Sequence, residues 1–129
     1  FKINNTRVIY ARAGTSLLAI AQQYSISLSR LVEFNELEQV ETLPDDQLIY
    51  LQRKRKTGNT EFHMVKSGET IRANAQVEGI RLESLLEYNH LQNYMQPAMG
   101  EQLYLRTKAP GMPKIVKTGI AANNIGNSL

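Results

Sequence analysis

The chain has 129 residues, a net charge of +3 and no Cys, so it holds neither a disulfide framework nor a thiolate nucleophile or ligand. Its longest apolar runs are a few residues, far short of the ~20 that cross a bilayer as a helix. Residues 1–52 carry four basic and six acidic side chains and residues 61–108 carry five and six, while "RKRK" at 53–56 is wholly basic, so no basic folded surface of the kind that tracks nucleic acid is implied.

The chain opens on Phe1 without a basic region followed by an apolar one, which reads as a mature product or an excised fragment with no signal peptide. "RVIYAR" (7–12) is short and rich in β-branched and aromatic residues; Gly14 closes it, and it reads as a strand. Ser16 then stands where a helix N-cap belongs. Leu17, Ile20, Ala21 and Tyr24 follow at the i, i+3, i+4, i+7 spacing of one helical face. A second helix starts at Ser27, carries Leu28, Leu31 and Val32, and ends at Asn35, a residue type that tolerates the left-handed conformation beyond a helix C-terminus. After a loop containing Pro44, "QLIYL" (47–51) reads as a closing strand.

The same order then returns. "EFHMVK" (61–66) is a strand closed by Gly68, Thr70 an N-cap, Arg81 the start of a second helix with Leu82, Leu85 and Leu86, Asn89 its end, and "QLYLR" (102–106) the closing strand. Gly14 and Gly68 are 54 positions apart, as are Asn35 and Asn89. Ala19/Ala73, Ala21/Ala75, Gln22/Gln76, Ile26/Ile80, Leu28/Leu82, Leu31/Leu85, Glu33/Glu87 and Leu37/Leu91 are identical at that offset. One extra residue in the second copy then sets Gln47-Leu48 against Gln102-Leu103. A fixed offset over this span means two copies of one supersecondary unit.

The ordered set "HMVKSGETI", "LLEYNHL" and "GEQLYL", with its counterpart "IYARAGTSLLAIAQQYSISLSRLVEFNEL" and "LPDDQLIYL", resembles the LysM (lysin motif) family. The resemblance implies an α+β fold of two tandem βααβ modules, each a two-stranded antiparallel sheet backed by two helices. The expected division is module 1 over 7–52, a basic linker over 53–60, module 2 over 61–107, and a flexible tail or a join to another domain over 108–129. The resemblance also implies a non-catalytic module that binds N-acetylglucosamine polymers, meaning peptidoglycan or a chitin-like glycan, in a cell envelope or extracellular setting. Such modules are commonly appended to cell-wall hydrolases, so a parent enzyme domain outside this chain is expected. The reading includes no catalytic residue, no metal and no cofactor, no specific nucleic-acid partner and no membrane span, and leaves the oligomeric state open.

The family's groove lies between the loop after the first strand and the loop before the last. That places the expected ligand-binding residues at Ala13, Gly14, Thr15 and Ser16 in the first copy, and at Ser67, Gly68, Glu69, Thr70, Asn93, Tyr94, Met95 and Gln96 in the second. An amino-sugar chain is neutral and rich in amides and hydroxyls, so its site needs backbone donors at loops beside an apolar floor. Gly supplies close backbone approach, and Tyr94 with Met95 supplies apolar surface, or else caps the small core. Loop 38–46 of the first copy carries Glu38, Glu41, Asp45 and Asp46, which would repel acidic stem peptides, so the second copy is expected to be the stronger site.

The copies also differ. Asn74 replaces Ile20 and Glu78 replaces Tyr24, which removes half the apolar stripe of the second copy's first helix and leads us to expect the second module to be the less stable. His63 and His90 lie in different elements and read as a strand His and a loop His rather than a metal pair. "RKRK" reads as a solvated linker whose polar, Gly-containing run lets the modules reach two sites on one polymer, or pack together. "KIVKTGI" (114–120) reads as part of the tail rather than as an edge strand. The rival reading is a degenerate module of this type that keeps the fold as a spacer or protein-interaction unit without sugar affinity.

Overall fold

The computed structural model describes residues 1–38 and 41–116; Gln39 and Val40 of the acidic loop, and the predicted tail from 117 onward, lie outside the described residues. The elements run β1 (Lys2–Ile3), β2 (Thr6–Ala11), α1 (Leu17–Gln23), α2 (Leu28–Phe34), β3 (Gln47–Tyr50), β4 (Phe62–Met64), α3 (Ile71–Glu78), α4 (Leu82–Tyr88) and β5 (Gln102–Tyr104). β2 pairs antiparallel with β3, and β4 with β5. The architecture is α+β, with two helices backing each antiparallel pair, as the LysM resemblance implied.

The expected caps at Ser16 and Thr70 form, and Ser27, expected as the start of α2, is its cap. Ser16, Ser27 and Thr70 each accept a hydrogen bond from the amide three residues on, at Ala19, Arg30 and Ala73. Arg81 begins α4 with no side-chain cap. Each module closes its own apolar centre: Leu17, Ile20, Ala21, Leu31, Leu43, Ile49 and Leu51 in the first, and Ile71, Ala75, Ile80, Leu85, Leu103 and Leu105 in the second.

Four expectations are corrected. Asn35 and Asn89 are not left-handed: their φ values are −111° and −109°, and the left-handed residues are the next ones, Glu36 and His90. The Asn side chains instead bolt each helix to its closing strand. Asn35 Nδ2 donates to Leu31 O (2.8 Å) and Tyr50 O (3.0 Å), and Tyr50 N donates to Asn35 Oδ1 (2.6 Å). Asn89 makes the same three bonds with Leu85 and Tyr104, at 2.8, 2.9 and 2.7 Å.

Second, there is no extra residue in the second copy. Val8 faces Tyr50 and Phe62 faces Tyr104 across the sheets, so Tyr50/Tyr104 keep the 54-residue offset through the closing strands. Third, the repeat starts earlier than the first predicted strand. Lys2/Lys56, Asn5/Asn59 and Thr6/Thr60 are also identical at 54. In the first copy these residues make β1, which pairs with β2 through a two-residue turn at Asn4 and Asn5 (φ 50° and 57°). Such a turn needs two positive φ angles, which Asn tolerates. Fourth, residues 114–116 do act as an edge segment. Ala98 N donates to Lys114 O (2.9 Å) and Val116 N to Gln96 O (2.7 Å), around a single Pro97–Ile115 antiparallel pair.

The basic stretch is not a solvated tether. Lys54 is buried, its Nζ 2.5 Å from Glu36 Oε1 and 2.6 Å from Gln76 Oε1. Arg55 pairs in parallel with Ile80, and Arg81 Nε donates to Lys54 O (2.7 Å). The outer face of the β2–β3 sheet is thereby covered by α3. Tyr50 Oη donates to Gln76 O (2.5 Å), and Gln76 Nε2 donates to Leu48 O (3.0 Å) and Asn35 Oδ1 (3.1 Å). Arg72 Nε reaches Asn35 O (3.0 Å). The approach is closest at Gly79, where a Cβ would fall 2.9 Å from Asn4 Cβ. The modules therefore pack as one body, the second of the two arrangements expected for the linker.

Candidate functional site

In the first module, β2 ends at Ala11 and the chain turns at Gly14, whose φ of 85° only Gly adopts without strain. The turn brings Ala13, Gly14, Thr15 and Ser16 against the loop before β3. Ala13 N, Gly14 N and Thr15 O are engaged there. Gly14 N donates to Leu43 O (2.8 Å), Leu43 N to Thr15 O (3.0 Å) and Leu17 N to Glu41 O (3.1 Å). Ala13 N donates to Asp46 Oδ1 (2.8 Å). The open surface lies beside this seam. Ser16, Leu17, Leu18, Leu28, Ser29, Val32 and Glu41 line a groove of about 770 Å³. Leu18 and Leu28 are 51% and 41% exposed, so its floor is apolar and wet, with the Ser29 hydroxyl and the Glu41 carboxylate at its margin. Leu18, Leu28, Ser29 and Val32 were not among the expected site residues. The available signal was Leu18: it falls off the Leu17/Ile20/Ala21/Tyr24 stripe, so a helix that buries that stripe must expose it.

The second module builds its loops differently. Ser67 and Gly68 are exposed, and Thr70 caps α3. Pro97 stands where Leu43 stands in the first copy and has no N–H to give. The Gln96 side chain takes over, its Nε2 donating to Glu69 O. Gln96, Glu69 and Thr70 thus come together, with the 114–116 segment on the far edge of the same loop. Asn93 and Tyr94 stand exposed, while Met95 is half-buried against the second core.

Glu69 also anchors a polar cluster under this loop. Its Oε1 accepts from Lys66 N (2.7 Å) and Asn74 Nδ2 (2.9 Å) and lies 3.1 Å from His63 Nε2. His63 Nδ1 is 2.5 Å from Glu78 Oε2. The counterparts in the first module are Ile9, Thr15, Ile20 and Tyr24, so four positions have changed character together. With a carboxylate at each ring nitrogen, His63 has hydrogen-bond acceptors on both sides and is a double donor when protonated. The Glu78 hydrogen bond raises the His63 pKa; burial opposes this, and Glu69 adds to the rise. Burial pushes the Glu69 carboxyl up, but the Lys66 amide, His63 and Asn74 together bring it below its ordinary value. Asn74 Oδ1 is buried without a partner. Among the described residues no group of three His, Asp or Glu side chains is arranged to hold a metal ion, and no helix is long and apolar enough to cross a membrane.

The chain is 25% identical over 114 residues to membrane-bound lytic murein transglycosylase D of Escherichia coli strain K12, a match covering 84% of this chain and 25% of that protein, and matches its counterpart in strain O6:H1 equally. It thus spans about a quarter of the length of these curated relatives. Among solved structures, the spore cortex-lytic enzyme SleL of Bacillus cereus aligns at 24% identity with a TM-score of 0.35, covering 80% of this chain and 23% of that one. SleL of Bacillus megaterium QM B1551 aligns at 20% and 0.33, covering 81% and 23%. The family model described as the LysM domain matches twice, at residues 12–49 and 63–106. With both repeats covered, the chain belongs to the LysM domain family.

Proposed function

We propose that this chain is a non-catalytic binder of N-acetylglucosamine-containing polysaccharide, peptidoglycan first, which holds a parent enzyme at the cell wall. LysM domains are binding modules for such polymers and occur in cell-wall hydrolases. The observation that carries the reading is the first module's groove, with Leu18 and Leu28 as floor for acetyl methyls and sugar faces beside Ser29 and Glu41. In the second module the Gln96 side chain engages the Glu69 carbonyl, residues 114–116 pair with Gln96 and Ala98, and Arg72 stands where Leu18 floors the first module's groove. This supports the first module as the stronger site, the reverse of the order expected from loop charge, with the second module's loops contributing exposed Asn93 and Tyr94 at most.

The test is retention on insoluble peptidoglycan and chitin, competed by soluble N-acetylglucosamine oligomers, with chemical-shift mapping of the responding residues. Retention that survives moderate salt, with the largest shifts at Leu18, Leu28 and Ser29, supports the reading. Leu18→Asp should weaken retention at least ten-fold while leaving the fold intact. Retention abolished by moderate salt would reduce it to charge alone. No retention on either polymer would leave the spacer reading in its place.

A further inference from the structure

Part of the joint between the modules is made by residues that both copies carry. On the receiving side are Tyr50, Asn35 and Lys54; on the inserted helix is Gln76. At the constant offset their counterparts are Tyr104, Asn89, Lys108 and Gln22, all identical in type. Among the described residues two half-joints are therefore left without their counterpart. The receiving half is the outer face of the β4–β5 sheet. Val8, the counterpart of Phe62, is 1% exposed, whereas Phe62 is 41% exposed, stacked edge-on to Tyr104 with centroids 4.9 Å apart. The inserting half is the exposed side of α1 with Gln22.

We propose that a second copy of this chain docks head to tail, seating its α1 on the β4–β5 face as α3 seats on the β2–β3 face. Gln22 would then give its amide N–H to the Gln102 carbonyl and Asn89 Oδ1, and take a hydrogen bond from Lys108. One close contact does not carry over, since Asn4 Nδ2 donates to Gly79 O and the counterpart of Asn4, Gly58, has no side chain to do so. Asn4 closes on Gly79, and the corresponding pair is Gly58 and Ser25, so the small partner changes sides; Gly58 is packed against Leu105 as well. Arg72 does not carry over, since its counterpart is Leu18. Neither does Glu36, which holds Lys54 Nζ and Leu82 N in the internal joint and whose counterpart is His90, so this joint is weaker than the internal one. Because Leu18 also floors the first module's groove, docking and glycan binding compete for it. The internal joint also has the advantage of tethering, with an effective concentration on the order of 1 mM. The contact is heterologous, so it propagates as an array rather than closing as a two-fold dimer.

Sedimentation of the full chain from about 10 μM to 1 mM tests this. The weight-average mass should rise with concentration past that of a dimer. Gln22→Glu spoils only the inserting half, and Phe62→Glu only the receiving half, so each alone should be monomeric. Mixed, they should form a dimer and stop there, because the Phe62→Glu copy still inserts and the Gln22→Glu copy still receives. Lys108→Glu, on an exposed side chain, replaces Phe62→Glu should the latter fail to fold. A chain that stays monomeric throughout overturns the proposal. So does association that both variants leave unchanged, or a mixture that does not pair.

Discussion

Asn35 and Asn89 each tie a helix to the strand that closes its module. Asn35 and Asn89 are fully buried, and each satisfies one helix carbonyl and both polar groups of one strand residue. Replacing Asn89 by Ala leaves the Tyr104 N–H and C=O without partners. At about 1–3 kcal/mol per buried group left unpaired, Asn89→Ala should cost roughly 3 kcal/mol in denaturant titration. His63 makes stability depend on pH. Its folded pKa is raised, so its contribution is full below the unfolded value of 6.5 and is lost as pH rises through the folded value. Glu69, with a lowered pKa, contributes in the opposite sense: fully above its unfolded 4.5, and lost as pH falls through its folded value. The midpoint of thermal unfolding should therefore fall between neutral and mildly alkaline pH, and His63→Gln should flatten that fall.

At the scale of elements, α3 carries the fold's main departure from its sequence pattern. Its missing apolar stripe is explained by two polar surfaces meeting there. Asn74 turns toward the His63 cluster, and Gln76 toward the first module. Gln76 uses its whole amide: two donations to Asn35 and Leu48, and one acceptance from Lys54. Lys54 is the costly partner. Burial lowers its pKa, and Glu36 opposes the loss by charge and hydrogen bond. A buried ammonium deprived of a partner is worse than no ammonium. Gln76→Ala should therefore destabilise by roughly 2–4 kcal/mol, and Lys54→Met added to it should recover part of that loss. Measured stabilities of the two single variants and the double variant decide the point, and simple additivity would argue against the coupling.

For the whole molecule, the shared joint bears on how the modules unfold. Separate transitions would expose the second module's weaker core, the expectation from Asn74 and Glu78. The joint buries Tyr50, Lys54 and Gln76 between the two, so neither module unfolds without uncovering polar groups of the other. A single cooperative transition is expected by calorimetry, with Gln76→Ala separating it into two. The joint also bears on binding. Two sites held rigidly enhance avidity only for a polymer whose repeat matches their spacing, whereas a flexible tether tolerates a range.

The sequence by itself determined the duplication, the βααβ order, the N-caps at Ser16 and Thr70, and the core stripe of α1. All of these are local patterns, fixed by backbone geometry and by spacing along one chain, and the 54-residue offset repeats them. It also held the longer reach of the repeat in Lys2/Lys56 and Asn5/Asn59, legible only once the register was known. The tertiary structure alone decided what the polar residues do. Asn35, Lys54, His63, Asn74 and Gln76 carry no periodic signal, because their partners lie in other elements and often in the other module. Whether such a side chain is solvated, bolted or buried depends on which face arrives opposite it. For the same reason the groove at Leu18 and Leu28 came from how α1 and α2 pack, while the expected donors Ala13 N and Gly14 N were already committed to Asp46 and Leu43.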